Sequence, residues 1–212
     1  MRKIIITQRI DQIKEYKELR ESLDTELPNL LVHLGYLVFP ISNTLLDKND
    51  KSNTNLLNQP KLVNFLEEIN PDGIVLSGGN DIGQYPFRDQ IEFLLLEWAE
   101  SQSKPVLGIC RGMQIMAVKS GSKLVKIKGH VNEYNYLYPK VKKDLIPHKI
   151  KCFHNWGLQK CPENFSILAN TEDGYIEAIR HSKLPWEGWM WHPERDSPVN
   201  DLNKKRIKGL FQ

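Results

Sequence analysis

Cys110 stands between two glycines in Gly108-Ile109-Cys110-Arg111-Gly112, behind the apolar run Val106-Leu107 and ahead of an apolar-periodic segment. A thiol held between a strand and a helix, with small residues two before and two after, has the pattern of a nucleophile elbow with Cys in place of Ser. The tight turn leaves no room for larger flanking side chains and holds the nucleophile at a strained backbone position, clear of the sheet. A helix N-terminus beside the sulfur favours the thiolate. A buried Cys that merely packs a βα turn is the plainer alternative.

A base and its orienter stand further on, in Trp191-His192-Pro193-Glu194. Pro193 biases His192 towards an extended conformation, and residues two apart on an extended chain face the same side. Glu194 can then hold the imidazole in one tautomer, so the pair lacks only a nucleophile. Alone, it would read as a surface turn. Upstream, Leu76-Ser77-Gly78-Gly79-Asn80 ends a strand in two glycines. A Gly backbone N–H can approach a substrate closely, as an oxyanion donor must.

These residues need a scaffold that brings strand ends together. Lys3 to Thr7 reads as a buried strand. Tyr16, Leu19 and Leu23 recur at helical spacing, and Leu27 to Leu34 continues as a second helix stopped by Gly35. Strand and helix then alternate: Tyr36–Pro40, Lys61–Ile69, Ile74–Leu76, Asp89–Gln102, Pro105–Ile109 and Arg111–Lys119, with a surface loop over 42–60. After residue 145, Ile146–Phe153, Ser166–Ala169, Tyr175–Arg180 and Trp189–His192 read as strands without intervening helices, before a closing helix at Leu202–Phe211. The predicted fold is α/β, one domain over 1–212. It has a mostly parallel sheet, helices on both faces, and a C-terminal antiparallel portion. In such a sheet, sites form beyond the carboxyl ends of the strands.

Composition narrows the function classes. The 212 residues are 40% hydrophobic and 26% charged, and a chain of this length buries enough surface to fold without disulfides. Twenty-nine Lys and Arg against 26 Asp and Glu leave +3, no electrostatic case for nucleic acid or an anionic membrane. Three cysteines without C-x-x-C spacing argue against a disulfide framework or a zinc knuckle. With no signal-peptide pattern and no apolar stretch long enough to span a bilayer, the chain reads as cytoplasmic.

Gly78-Gly79, the elbow continuing to Gln114, and Trp191-His192-Pro193-Glu194, in that order, resemble the class I glutamine amidotransferase superfamily. More narrowly they are similar to its γ-glutamyl hydrolase branch. Arg88-Asp89 with Glu92, His130, Phe153-His154 and Asp173-Gly174-Tyr175-Ile176-Glu177-Ala178 match at branch level. The resemblance implies Cys110 as nucleophile, His192 as general acid/base and Glu194 as its orienter. It implies an oxyanion hole from the backbone N–H groups of Gly79 and Arg111, and a substrate-binding role for Gln114. Asn80, Asn155 and Trp156 are carried over as further substrate contacts, with no cofactor and no metal.

The branch often carries His-His-Gln where Phe153-His154-Asn155-Trp156-Gly157 stands here, so the amine half of the substrate should differ. The variant motifs are similar to those of capsule-biosynthesis hydrolases that free glutamate from γ-glutamyl-CDP-amidate. A small-molecule, nucleotide-linked γ-glutamyl amide is therefore the expected partner. The alternatives are a glutaminase subunit feeding ammonia to a separate synthetase, and a non-catalytic ligand-binding module. Lys123, Lys126 and Lys128 with Lys140, Lys142 and Lys143 form a basic stretch, a solvated face or a contact for substrate phosphates. Tyr134, Tyr136 and Tyr138 in the same loop could stack on a base or cover a sheet edge. His130, His148 and His154 are spaced by 18 and 6, which fits no common zinc pattern. Cys152 and Cys161 read as half-buried structural thiols.

Overall fold

The computed structural model describes residues 1–46, 55–140 and 146–212; part of the expected loop over 42–60, and Lys142 and Lys143, lie outside them. The first half runs β1 (Lys3–Thr7), β2 (Arg9–Ile13), β3 (Glu18–Ser22), α1 (Glu26–His33), β4 (Leu37–Ile41) and α2 (Pro60–Ile69). It continues through β5 (Gly73–Leu76), α3 (Pro86–Ser101), β6 (Val106–Ile109) and α4 (Arg111–Lys119). Then come β7 (Val125–Lys126), β8 (Val131–Tyr136), β9 (Tyr138–Pro139), β10 (Lys149–Phe153) and β11 (Trp156–Gly157). The chain closes with β12 (Phe165–Asn170), β13 (Ile176–His181), β14 (Trp186–Trp189) and α5 (Asp201–Leu210).

Eight strands form one sheet in the order β4-β1-β5-β6-β14-β13-β12-β9. From β4 to β14 every pairing is parallel, and from β14 to β9 every pairing is antiparallel. The continuous apolar runs follow from burial on both faces. Ile4 and Ile6 of β1 pack with Leu27, Leu31 and Ile207 of α1 and α5, while Ile5 packs with Leu62, Leu66 and Leu95 of α2 and α3.

Three expectations are corrected. Residues 16 to 23 are not helical: β2 and β3 form an antiparallel hairpin whose turn uses Lys17 at φ 54°. Tyr16 and Leu19 face solvent, so their helical spacing has no core to serve. The last strand is Trp186–Trp189 rather than 189–192, so the chain has left the sheet before His192. Tyr134 and Tyr136 lie on β8 and Tyr138 on β9, not in a loop. No helix among the described residues is long and apolar enough to cross a membrane.

Candidate active site

Three neighbouring strands, β5, β6 and β14, end level, since Leu76 pairs with Gly108 and Trp189 with Ile109. Ser77-Gly78-Gly79, Cys110 and His192 follow their carboxyl ends. Cys110 N donates to the Trp189 carbonyl at 2.6 Å, tying its backbone to the strand that leads to His192. Cys110 itself adopts φ 52°, a conformation that L-residues avoid and that costs of order 1–3 kcal/mol. A Cβ on Gly112 would lie 2.1 Å from the Leu76 carbonyl oxygen, and one on Gly108 would lie 2.6 Å from the Gly112 carbonyl carbon. The two glycines therefore let α4 start directly against β5 and β6, which aims Cys110 outward.

His192 Nδ1 donates to Glu194 Oε1 at 2.6 Å, leaving Nε2 free in the pocket that Cys110 also lines. His192 is extended, but Glu194 sits in a 3₁₀ turn over Pro193–Arg195; the turn, not a continued strand, brings the carboxylate back to the ring. Burial opposes the imidazolium, yet the hydrogen bonds and charges of Cys110 and Glu194 outweigh it and raise His192 to about 9. Gly78 allows this packing, because a Cβ there would lie 2.7 Å from His192 Cε1. The Phe153 ring meets His192 edge-on at 5.9 Å. The arrangement offers a sulfur, an imidazole held by hydrogen bonding and an orienting carboxylate within one pocket.

A buried charge cluster braces both loops beside Cys110. Arg88 donates to the Ser77 and Gly78 carbonyls (3.1 and 2.9 Å) and to Asn80 Oδ1 (3.1 Å). Arg111 is paired with Glu92 and Asp89, and Glu92 also accepts from Arg88 at 3.3 Å. Glu92 thus joins the Gly78-Gly79 loop to Arg111, the residue after Cys110. Burial lowers Arg88 to about 10 despite Glu92. For Glu92, burial would raise the carboxyl, but Arg111 and Arg88 hold it below the ordinary range.

A pocket of about 180 Å³ contains Gly78, Gly79, Cys110, His192 and Glu194, with Arg9 and Leu27 among its walls. Beside it, sharing Phe153, His192 and Arg195, opens a polar cavity of about 910 Å³ lined also by Tyr134, Lys149, Lys151 and Lys204. Lys149 Nζ lies 4.5 Å from the Tyr134 ring centre, and the Arg195 guanidinium 4.6 Å from that of Phe153.

The structure spreads the expected substrate contacts more widely. Gln114 is buried and donates to the Trp156 carbonyl at 3.0 Å. The Asn80 amide is taken up by the Ile10 backbone, both bonds at 2.8 Å, and by Arg88, so it brackets β2 instead of lining the Cys110 pocket. Asn155 is exposed, and the Trp156 ring lines a separate pocket with Asp81 and Lys123. Lys123 lines that pocket and not the large cavity. Two of the four cations that line that cavity, Lys149 and Lys151, had a readable signal: with Phe153 they alternate along β10, which sends all three to one face.

Spacing also hid a side-chain cluster. His130 and His154 meet Cys152 and Glu177, with one potential ligand atom from each within 4.8 Å of the others. His148 lies elsewhere, 5.6 Å from Tyr136. Cys152 is fully buried, not half-buried, and burial pushes its thiol well up; Cys161 is partly exposed.

The Glutamine amidotransferase class-I family model matches residues 30–206. A γ-glutamyl-CDP-amidate hydrolase of Campylobacter jejuni is 32% identical over 135 residues, covering 61% of this chain and 65% of that protein. The chain thus spans just under two thirds of that relative's length. A glutamine-hydrolyzing GMP synthase subunit of Methanocaldococcus jannaschii is 31% identical over 138 residues, covering 61% of this chain and 70% of that one. The crystal structure of a glutamine amidotransferase from Thermotoga maritima shares the fold, with TM-score 0.63 at 16% identity over 98% of this chain and 82% of that one.

Proposed function

The chain belongs to the glutamine amidotransferase class-I family, and from that premise we propose that it hydrolyses a γ-glutamyl amide whose amine half is anionic and larger than ammonia. Cys110 is the nucleophile, His192 the general acid/base and Glu194 the group that holds its tautomer. The thiolate attacks the γ-carbonyl, and the oxyanion points at the backbone N–H groups of Gly79 and Arg111. A single such donor is worth about 10²–10³ in rate. The His192 imidazolium gives its proton to the leaving nitrogen, forming a glutamyl thioester and free amine. His192 then takes a proton from water, which attacks the thioester and releases glutamate.

What carries this choice of substrate is the cavity of about 910 Å³ beside His192. Lys149, Lys151, Arg195 and Lys204 outnumber its acidic members, Asp196 and Asp201, and Tyr134 and Phe153 add aromatic faces. Cations suit phosphates and rings suit a base. The Campylobacter relative acts on such a molecule, and γ-glutamyl-CDP-amidate, within capsular phosphoramidate biosynthesis, is the substrate this reading selects. Likeness to the Methanocaldococcus GMP synthase component supports a second reading, ammonia supply to a separate synthetase.

Comparing kcat/KM of the isolated chain for γ-glutamyl-CDP-amidate and glutamine separates the two. The first reading expects strong preference for the nucleotide substrate, and Lys149→Glu with Lys151→Glu should depress that ratio while sparing glutamine. Equal or better use of glutamine favours the synthetase partner. Absence of turnover on either would leave the non-catalytic module.

A further inference from the structure

Behind the catalytic pocket, His130 precedes β8, Cys152 lies on β10, His154 follows it, and Glu177 comes from β13. Strand pairing makes them neighbours: β10 runs antiparallel to β8, and His154 N donates to the His130 carbonyl at 2.8 Å. All four are buried.

The outer ring nitrogens are already committed. His154 Nδ1 lies 3.0 Å from the Trp156 carbonyl, which can only accept, so Nδ1 carries the proton. His130 Nε2 lies 2.9 Å from Asp173 Oδ2 and likewise donates to it. In neutral imidazoles this leaves two bare lone pairs, on His130 Nδ1 and His154 Nε2, aimed inward at the Glu177 carboxylate. The separations are 3.2 and 3.4 Å, within ion-pairing distance. Neither nitrogen, nor Glu177 Oε1, has a partner in hydrogen-bond geometry. A cation seated between them satisfies both lone pairs and the carboxylate at once, whereas a second proton on one ring satisfies only that ring. Imidazoles anchored by their outer N–H and open on the inner nitrogen are the arrangement found around bound metals.

We propose that His130, Cys152, His154 and Glu177 form a closed structural site for a divalent transition metal of the zinc class. Two nitrogens, one sulfur and one oxygen suit a borderline-soft ion and not magnesium or calcium, which take oxygen ligands. Bonds of about 2.0–2.3 Å require the ligand atoms to draw in from their present spread of up to 4.8 Å. Binding breaks the Cys152 S–H bond, sends that proton to solvent and forms the metal–sulfur bond. Thiolate, carboxylate and divalent ion then sum to zero charge, which permits burial. Cys152 and His154 flank Phe153, whose ring packs on His192, and His154 shares the Trp156 carbonyl with Gln114. The metal would therefore set the wall against which the catalytic imidazole rests.

Elemental analysis of the full chain, purified from zinc-supplemented medium, tests this and does not depend on the substrate. One zinc per chain is expected. Cys152→Ser and His154→Gln should lose it, while Cys110→Ala and Cys161→Ser should keep it. Where the first two variants fail to fold, cobalt titration of the Cys110→Ala chain decides: tetrahedral visible bands with a thiolate charge-transfer band support the site, and weak bands without it overturn it. A wild-type chain that is purified metal-free and takes up neither ion overturns it. So does zinc that is lost in Cys110→Ala and kept in Cys152→Ser, which would place the ion on the nucleophile.

Discussion

Glu92→Gln tests the brace beneath the nucleophile. Arg88, Arg111, Asp89 and Glu92 sum to zero charge, and the substitution leaves +1 with nearly the same shape. Arg88 keeps Ser77, Gly78 and Asn80 as acceptors, but none of the three carries charge. Arg111 keeps only Asp89, and the two guanidiniums already repel each other. Removing one partner from a buried ion pair costs about 3–5 kcal/mol; the Gln carbonyl still accepts one bond, so about 3 kcal/mol is expected here. The folded Glu92 carboxyl lies below its ordinary value of 4.5, so its contribution is present above 4.5 and is lost as pH falls through the folded value. The variant should therefore be most destabilised at neutral pH, and the deficit should shrink on acidification. Both loops at the nucleophile also lose their common anchor, and a shift of about 1 Å there is worth roughly 10² in turnover. Urea unfolding at two pH values, with kcat measured alongside, checks both. A loss below about 0.5 kcal/mol at neutral pH, the scale of surface substitutions, would refute the brace.

Cys110→Ala should remain folded, with an unchanged circular dichroism spectrum, and lose about 10⁴-fold or more in turnover. The same substitution removes the influence of Cys110 that helps raise His192 while its burial persists. The ring titration followed by NMR should fall from about 9 towards or below the ordinary 6.5, and an unmoved titration would dissociate the two side chains. Gly112→Ala forces α4 off β5, since the new Cβ meets backbone at 2.1 Å. It should cost about 3 kcal/mol, the upper range for overpacking, in urea unfolding, with activity falling in step.

The elbow was legible because its constraints are local: one turn, two missing side chains and the residue between them. His192 and Glu194 were legible as a pair, although a 3₁₀ turn and not an extended chain joins them. The β2–β3 hairpin was not legible. Its turn takes a positive φ at Lys17, with no Gly or Asn to mark it, and three apolar residues at helical spacing outweighed strand alternation. The His130 cluster escaped because zinc spacing rules describe ligands on one local loop, whereas here separate segments supply them. Lys123 was placed by sequence proximity to other lysines, while the cavity is built by β10, whose alternation puts Lys149 and Lys151 on one side and Cys152 on the other. Strand partners decide such questions, and they are long-range.

Strand β14 is the last one synthesised among the described residues, yet it sits in the middle of the sheet between β6 and β13. A nascent chain emerging from the ribosome therefore holds β6 as an open edge, four buried-type residues with unpaired backbone, until some eighty further residues have been made. Such an edge templates pairing with other chains. Co-translational folding cannot finish segment by segment here, and a chain interrupted after β6 is an aggregation hazard rather than a quiet, inactive fragment. Premature stops anywhere between α4 and β14 should yield insoluble protein, and the full-length chain should lean on chaperones that shield a strand edge while the closing strand arrives.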